Sequence, residues 1–337
     1  MAAFPEFSLW LLLRKHRRGM GSCLVVMVAT LANQAALAYG SDRPDAADSW
    51  SVDVRLKNYF ASNTSYEFGN PYPPYQAPLS RLEFPLNTQW IGLEARRKMP
   101  RFSAGIALST NVSRKVSGTD KDFDWEDDAN PGALSIYSQT GSRMEPSYIV
   151  RGDIDLKISD WLALPERFDL RPVAGFRWQR FSLVSHDGAQ YYPLSATPPD
   201  ALPGDVLQFE QTYQQYFLGM RTTYDLSGIL PLQRLKLYTQ LDWAYVEGNN
   251  QDRHLLRLGT RLTYDHTIGD AWHALLGLRY RLTENLEARL EADYLRIQTT
   301  GTHRLVNDAF NVDISTDYAV RVWSEQMNLG LGLEYTF

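Results

Sequence analysis

The sequence has almost no cysteine, since Cys23 is the only thiol among its 337 residues. That residue lies in an apolar segment near the N-terminus that we expect to be removed from the mature chain. The mature protein would then have no thiol, which excludes disulfide bonds and thiolate metal sites. We therefore expect neither a cofactor nor a bound metal ion.

Long apolar runs and basic stretches are also missing. After the first 40 residues no window reaches the roughly 18 uninterrupted apolar residues of a membrane-spanning helix, which excludes a helical membrane protein. The 39 acidic side chains outnumber the 34 Lys and Arg, so we expect no nucleic-acid partner. Aromatic residues are abundant instead, at 12% of the chain, which is unusual for a water-soluble protein.

The N-terminus has the three parts of an export signal. A basic cluster at Arg14–Arg18 precedes the apolar run Met20–Leu31, and the small-residue site Ala36–Ala38 follows at a distance suited to cleavage. We expect residues 1–38 to be a cleaved signal peptide and residues 39–337 to form one domain. An uncleaved N-terminal anchor helix is the alternative.

The C-terminal segment Met327–Phe337 places large apolar residues at every odd position and polar residues or glycine at every even one. This period of two predicts a β-strand. The same alternation recurs in Leu286–Tyr294, Leu235–Trp243 and Ile154–Ile158, where the second face carries charges of both signs. One apolar face and one charged face are typical of a closed barrel in lipid, whose interior is polar. The fold class is therefore an all-β transmembrane antiparallel barrel.

Ten strands are predicted, at 50–68, 79–98, 101–116, 146–160, 168–186, 207–226, 233–248, 256–282, 285–300 and 320–337. Short connections alternate with long ones, as short periplasmic turns alternate with long outer loops. The outer loops are predicted at 69–78, 117–145, 187–206, 249–255 and 301–319. A ten-stranded barrel is narrow, so we expect its interior charges to pair with each other and leave no wide pore.

Two acidic motifs fall on the outer side of this barrel. The loop 117–145 contains Asp122 and Asp124, and the connection 249–255 contains Asp252 and His254. Strand order places the two motifs on opposite walls of one rim. A histidine can act as a general base near neutral pH, and a neighbouring carboxylate can orient its ring and stabilise its charged form.

These motifs resemble those of the omptins, outer-membrane endopeptidases with ten-stranded barrels. The segment DFDWEDDANPG is similar to the omptin Asp-x-Asp-Trp motif followed by Asn-Pro-Gly, and VEGNNQDRHLL is similar to the omptin Asp-x-His loop. Further likeness lies in SRLEF, MPRFSAGIA, GFRWQRFS and the closing GLEYTF, so the resemblance spans roughly residues 50–337.

The resemblance implies a peptide hydrolase of the Gram-negative outer membrane. It implies catalytic roles for Asp122, Asp124, Asp252 and His254, with a water molecule held between the two pairs and no covalent nucleophile. Classed by these acidic residues, the enzyme would be an aspartic-type endopeptidase. Its expected partners are membrane lipid and a peptide or protein substrate at the cell surface, and we expect a monomer.

The chain departs from the omptin pattern at its substrate and lipid sites. Asn250 stands where omptins carry an acidic residue that binds a basic substrate side chain, and Glu67 is a candidate for a second such acid. Arg253 places a positive charge between the Asp and the His. Arg180 matches one member of the omptin lipopolysaccharide cluster, but the positions of Thr212 and Gly269 lack the expected basic residues.

Simpler interpretations of the same residues exist. An Asp-x-His at a hairpin tip can be solvated and inactive, and DANPG can be a turn. The acidic loop lacks the glycine-centred spacing of a calcium site. His303 falls in an outer loop with no acidic partner nearby. The alternative function is a non-enzymatic omptin-like barrel that acts as an adhesin or an envelope structural protein.

Overall fold

The computed structural model of the chain describes residues 48–70, 77–227 and 234–337, so the predicted signal peptide lies outside the described residues. These ranges form 14 strands. They are β1 (Ser49–Tyr59), β2 (Asn63–Phe68), β3 (Ser80–Pro85), β4 (Gln89–Lys98), β5 (Phe102–Asn111), β6 (Lys115–Asp124), β7 (Ile136–Met144), β8 (Tyr148–Leu156), β9 (Phe168–Tyr191), β10 (Asp200–Asp225), β11 (Leu235–His254), β12 (Arg261–Arg281), β13 (Leu286–Asn307) and β14 (Val312–Thr336). Over the same ranges, no helix has the length and apolar character needed to cross a membrane.

All of these strands belong to one antiparallel sheet that closes on itself. Strands β9 to β14 are long and continuous, whereas the first eight form four broken strands, interrupted at residues 60–62, 86–88, 112–114 and 145–147. In the lower half, β1, β4, β5 and β8 close the ring between β14 and β9, and in the upper half β2, β3, β6 and β7 do so. Each half is therefore a ring of ten strands, and the predicted ten-stranded barrel is confirmed.

The outer loops are shorter than the sequence predicted. The connections observed at 125–135, 192–199, 255–260 and 308–311 replace the predicted loops 117–145, 187–206, 249–255 and 301–319, and the predicted loop 69–78 falls between β2 and β3. The predicted bounds were wrong because the strands continue above the membrane. There both faces meet water or polar side chains, so the apolar alternation that marks a strand in lipid is lost.

The lower part of the barrel carries an exposed apolar belt. On β11 the outward side chains Leu241, Trp243 and Tyr245 are apolar and exposed, and β10 and β14 add Leu218 and Leu331, which are 65% and 64% exposed. The outward positions of β11 above the belt are polar, at Asn249, Gln251 and Arg253. The belt is the surface that contacts lipid, and the strands rise beyond it into the aqueous exterior.

Paired charges fill the interior at the level of the belt. The Arg55 guanidinium lies 2.9 Å from Asp53, 2.7 Å from Glu94 and 3.3 Å from Glu291. These carboxylates come from β1, β4 and β13, so one cation ties three strands together across the barrel. The expectation that interior charges pair with each other is confirmed.

A buried aromatic layer separates these charges from the upper end of the barrel. The rings of Phe84 and Phe209 stack with centroids 4.2 Å apart, and Tyr66 stacks on Phe209 at 5.7 Å. Tyr213 and Phe181 are fully buried in the same apolar cluster. The space at the upper end of the barrel therefore has an apolar floor. Polar side chains that lie against this floor are shielded from water.

Candidate active site

Asp252 and His254 are the inward-facing residues at the upper end of β11. Asp252 is seven residues beyond Tyr245, roughly 23 Å further along the strand at about 3.3 Å per residue, so it lies outside the membrane-spanning part. The Asp252 Oδ1 atom is 3.7 Å from His254 Nε2. This separation is longer than a hydrogen bond, but catalytic contacts often shorten only when substrate binds.

Two details of this pair differ from the sequence interpretation. The strand continues through His254, so both residues lie on a strand end and the turn follows at 255–260. Arg253 is exposed on the outer face, because neighbouring residues of a strand point to opposite faces. Its charge therefore does not lie between Asp252 and His254.

Asp122 and Asp124 lie on β6, which is paired with β3 on one side and β7 on the other. They are on the strand rather than in the predicted loop. Asp124 is 8% exposed, and Asp122 Oδ1 is 3.5 Å from the Ser80 hydroxyl. The β-sheet pairing on both sides holds these carboxylates more rigidly than a loop would.

The structure brings Asp122 and His254 onto one cavity that is open to solvent. In the upper ring three strands separate β6 from β11 on one side and five on the other, so the two residues face each other from nearly opposite walls. A substrate lying in this cavity would contact a carboxylate on one side and an imidazole on the other.

Tyr66 was not identified from the sequence, yet it contacts Asp252 directly. Its hydroxyl donates a hydrogen bond to Asp252 Oδ2, and its ring belongs to the aromatic floor. The bond leaves Oδ1, the atom nearer to His254, without a hydrogen-bond partner among the described residues. The two residues are 186 positions apart in the chain, so no local pattern could have indicated the contact.

Burial changes the protonation of the acidic residues. Removal from water raises the pKa of Asp252 to about 6, against the opposing effect of the Tyr66 hydrogen bond. Removal from water, followed by the neighbouring charges of Asp124 and Asp252, raises the pKa of Asp122 well above its usual range. The pKa of Asp124 is also raised, mainly by burial. Close carboxylates of this kind cannot all be ionised near neutral pH.

The imidazole of His254 is shifted in the opposite direction. Burial, and then the positive charges of Arg261 and Arg257, lower its pKa to about 3. The ring is therefore neutral at physiological pH and has a lone pair available. Sequence reasoning did not identify either arginine, because both follow the Asp-x-His motif in what was interpreted as an ordinary turn and strand start.

The two predicted substrate-binding residues have different positions. Asn250 faces inward and is buried one step below Asp252, with its amide donating to Asp265 Oδ2 at 3.1 Å. Glu67 does not contact the cavity. Its carboxylate lies with Arg81 at 2.7 Å and Arg321 at 3.8 Å, two residues aligned with it on the neighbouring strands. Glu67 lies on the outer face of β2, because the inward position is taken by Tyr66, and its assignment to the substrate site stays a prediction.

A second carboxylate–imidazole pair lies beside Asn250. The Asp265 Oδ1 atom is 2.8 Å from His303 Nδ1, and the His303 ring stacks on Phe68 with centroids 4.1 Å apart. The statement that His303 has no acidic partner is wrong. β13 continues above the membrane, where the sequence predicted the loop 301–319, and this aligns His303 directly with Asp265 of β12.

Arg180 lies on the outer wall, with its guanidinium 3.0 Å from both carboxylate oxygens of Glu210. Thr212 is its partner in the β9–β10 register. Gly269 belongs to the inward-facing positions of β12, so it cannot be part of an outer-wall cluster. The local charge of Arg180 is already balanced within the protein.

Comparisons with known proteins agree with this geometry. The sequence profile of the Omptin family matches residues 77–337. Protease 7 of Escherichia coli O157:H7 is 23% identical over 254 residues, covering 71% of this chain and 75% of that protein. Protease 7 of Escherichia coli strain K12 is 22% identical over 252 residues with the same coverage. The crystal structure of the outer membrane protease OmpT from Escherichia coli superposes with a TM-score of 0.75 at 18% identity, covering 89% of this chain and 99% of that one.

Proposed function

The chain belongs to the omptin family and by that membership is a protease of the Gram-negative outer membrane, and we propose that it hydrolyses peptide bonds within the cavity between Asp122 and His254. The observation that carries the proposal is the convergence of these two residues on one solvent-open cavity. Asp124 and Asp252 support them from the same two strands. The cavity opens above the lipid belt, so the substrate is a peptide or protein outside the cell.

His254 is neutral before the reaction, so its ring can accept a proton, and we assign it as the general base. A pKa of about 3 makes the ring by itself a weak base, and the ionised Asp252 beside it strengthens it by favouring the protonated form. In the proposed reaction its free ring nitrogen accepts a proton from a water molecule as the water oxygen attacks the carbonyl carbon of the substrate. The imidazolium that forms is stabilised by Asp252, whose Oδ1 atom lies 3.7 Å away. Asp252 can do this only when it is ionised, which its raised pKa of about 6 allows at neutral pH.

The Asp122 and Asp124 carboxyl groups act on the other side of the water. Because their pKa values are raised, the pair retains a proton near neutral pH. An ionised oxygen of the pair accepts a hydrogen bond from the attacking water, and the protonated carboxyl donates to the oxyanion that forms on the substrate. When the tetrahedral intermediate collapses, His254 returns its proton to the leaving amine. No covalent intermediate is formed.

The test uses detergent-refolded protein and a mixed peptide library read by mass spectrometry. A cleaved peptide then serves to measure kcat/KM for Asp122→Asn, Asp252→Asn and His254→Gln. Each should lower kcat/KM by about 100- to 10,000-fold, the usual range for loss of acid–base catalysis. The double variant of Asp122 and His254 should be little worse than either single variant, because the residues act as a unit.

Asp317→Asn is the matched control, since Asp317 is exposed on the outer part of β14. It should cleave at the wild-type rate. A gel comparison of boiled and unboiled samples checks that each variant forms a closed barrel. A wild-type barrel that cleaves no peptide in the library would favour the non-enzymatic alternative. Unchanged cleavage by His254→Gln would remove the imidazole from the mechanism.

A further inference from the structure

Asp265 is a buried carboxylate beside the active site that takes no part in the proposed reaction. It is 5% exposed and faces inward on β12. Thr263 is the partner of Asp252 in the β11–β12 register, and Asp265 lies two residues beyond Thr263 on the same face. Asp252 and Asp265 are therefore diagonal neighbours on adjacent strands. Such neighbours lie about 7–8 Å apart, which is close enough for one charge to influence the other.

Contacts from both neighbouring strands hold Asp265 in place. Its Oδ1 atom is 2.8 Å from His303 Nδ1 on β13, and its Oδ2 atom accepts a hydrogen bond of 3.1 Å from the Asn250 amide on β11. The His303 ring is itself fixed, since it stacks on Phe68 with centroids 4.1 Å apart. The distance of the Asp265 carboxyl group from Asp252 is therefore fixed, and both of its oxygens have a partner within the protein.

The charges of Asp252 and Asp265 are not balanced by a lysine or an arginine in contact with them. Among the described residues, the side chain within ion-pair distance of each is a histidine, His254 for Asp252 and His303 for Asp265. The interior carboxylates at the level of the belt differ, because arginine contacts them. Both side chains are 2% exposed. At an effective dielectric constant of about 20, a charge 7–8 Å away moves the ionisation of a carboxyl group by roughly one to two pH units.

We propose that Asp265 is a positioning residue that acts through Asp252, because its charge opposes the ionisation of Asp252 and so sets the lowest pH at which the site is active. The inference rests on the proposed function, in which an ionised Asp252 stabilises the protonated ring of His254. In this role Asp265 touches neither the substrate nor the attacking water. Its effect is to delay formation of the active charge state until the pH approaches neutrality.

The protonation of Asp252 agrees with this role. Its pKa is raised to about 6 mainly by burial, which the Tyr66 hydrogen bond opposes and the charge of Asp265 reinforces. Burial, and then the charges of Asp252 and Asp265, also raise the pKa of Tyr66 well above its usual range, so its hydroxyl keeps the proton that it donates. The titratable and charged groups that face Asp252 or Asp265 come from six strands: Tyr66 from β2, Asp122 from β6, Tyr213 from β10, His254 from β11, Arg261 from β12 and His303 from β13.

The test is the pH dependence of kcat/KM for Asp265→Asn, measured with a peptide that the wild type cleaves. The substitution removes the charge and keeps the size of the side chain. The rise of kcat/KM should move from about pH 6 to about pH 5, so that the variant is about fivefold more active than the wild type at pH 5 and equal to it at pH 8. A structural defect would not produce this gain at low pH, because it would lower kcat/KM at every pH.

Asp270→Asn is the matched control, because Asp270 lies on the same strand but is exposed on its outer face. Its pH profile should match that of the wild type. Asp265→Glu keeps the charge and should also keep the wild-type profile. If Asp265→Asn does not form a closed barrel, Asp265→Ser removes the same charge and takes its place. A rise that stays at the wild-type pH in the neutral variants, or a loss of activity at every pH, overturns the role of Asp265 and leaves the protease assignment intact. A wild type that cleaves no peptide overturns both.

Discussion

Tyr66→Phe isolates the hydrogen bond that sets the charge of Asp252. The substitution keeps the ring in the aromatic floor against Phe209 and removes only the hydroxyl that donates to Asp252 Oδ2. A hydrogen bond to a charged group is worth about 1.5–3 kcal/mol, and about 1.36 kcal/mol corresponds to one pKa unit. The pKa of Asp252 should therefore rise by about one to two units from its value of about 6.

The measurable consequence is a shift in the pH dependence of kcat/KM. In the wild type kcat/KM should rise with pH through about 6, because Asp252 must lose its proton before it can stabilise a charged His254. In Tyr66→Phe the rise should move to about pH 7–8, so that activity falls by about two- to tenfold at pH 7 and changes little at pH 9. The shift is upward because the lost donor had favoured the ionised carboxylate.

Tyr213→Phe is the control for this experiment, because it removes another fully buried tyrosine hydroxyl from the same apolar cluster. Its pH profile should match that of the wild type. A Tyr66→Phe profile that rises at the wild-type pH would refute the reasoning, since it would mean that Asp252 ionisation does not limit activity. If kcat/KM fell by the same factor at all pH values, the hydroxyl would have a structural role instead.

Three further outcomes are expected. Asn250→Asp places a second carboxylate against Asp265, so the preference for Arg over Gln at the cleaved bond should increase. An unchanged kcat/KM ratio at every pH would exclude Asn250 from substrate binding. Arg180→Ala should alter activity by less than about twofold with or without lipopolysaccharide, because an exposed pair such as Arg180–Glu210 contributes little. A large loss of activity seen only in the presence of lipopolysaccharide would show that lipopolysaccharide binds the outer wall at Arg180. Unboiled protein should migrate differently from boiled protein on a gel, and a single mobility would contradict a closed barrel.

The fold could be predicted from the sequence because its signals are local. Successive side chains of a strand point to opposite faces, so the face of each residue follows from its position in the sequence. The alternation of apolar and charged residues therefore identified the strands, the surface that faces lipid and the interior whose charges are paired. Ten strands in turn placed the Asp-x-Asp and Asp-x-His motifs at one end of the barrel. The alternation failed only above the membrane, where β9 to β14 continue without a lipid-facing pattern.

The chemistry of the site depended on contacts that only the closed barrel creates. Tyr66 reaches Asp252 from the other side of the ring, Glu67 turns outward because Tyr66 takes the inward position, and Asp120 faces the cavity next to Asp122. The altered pKa values of these acids arise chiefly from burial on the aromatic floor. Burial is a property of the assembled interior, and residues far apart in the chain create it together. The strand pattern was therefore determined by sequence alone, whereas the protonation and partners of the site were decided by the tertiary structure.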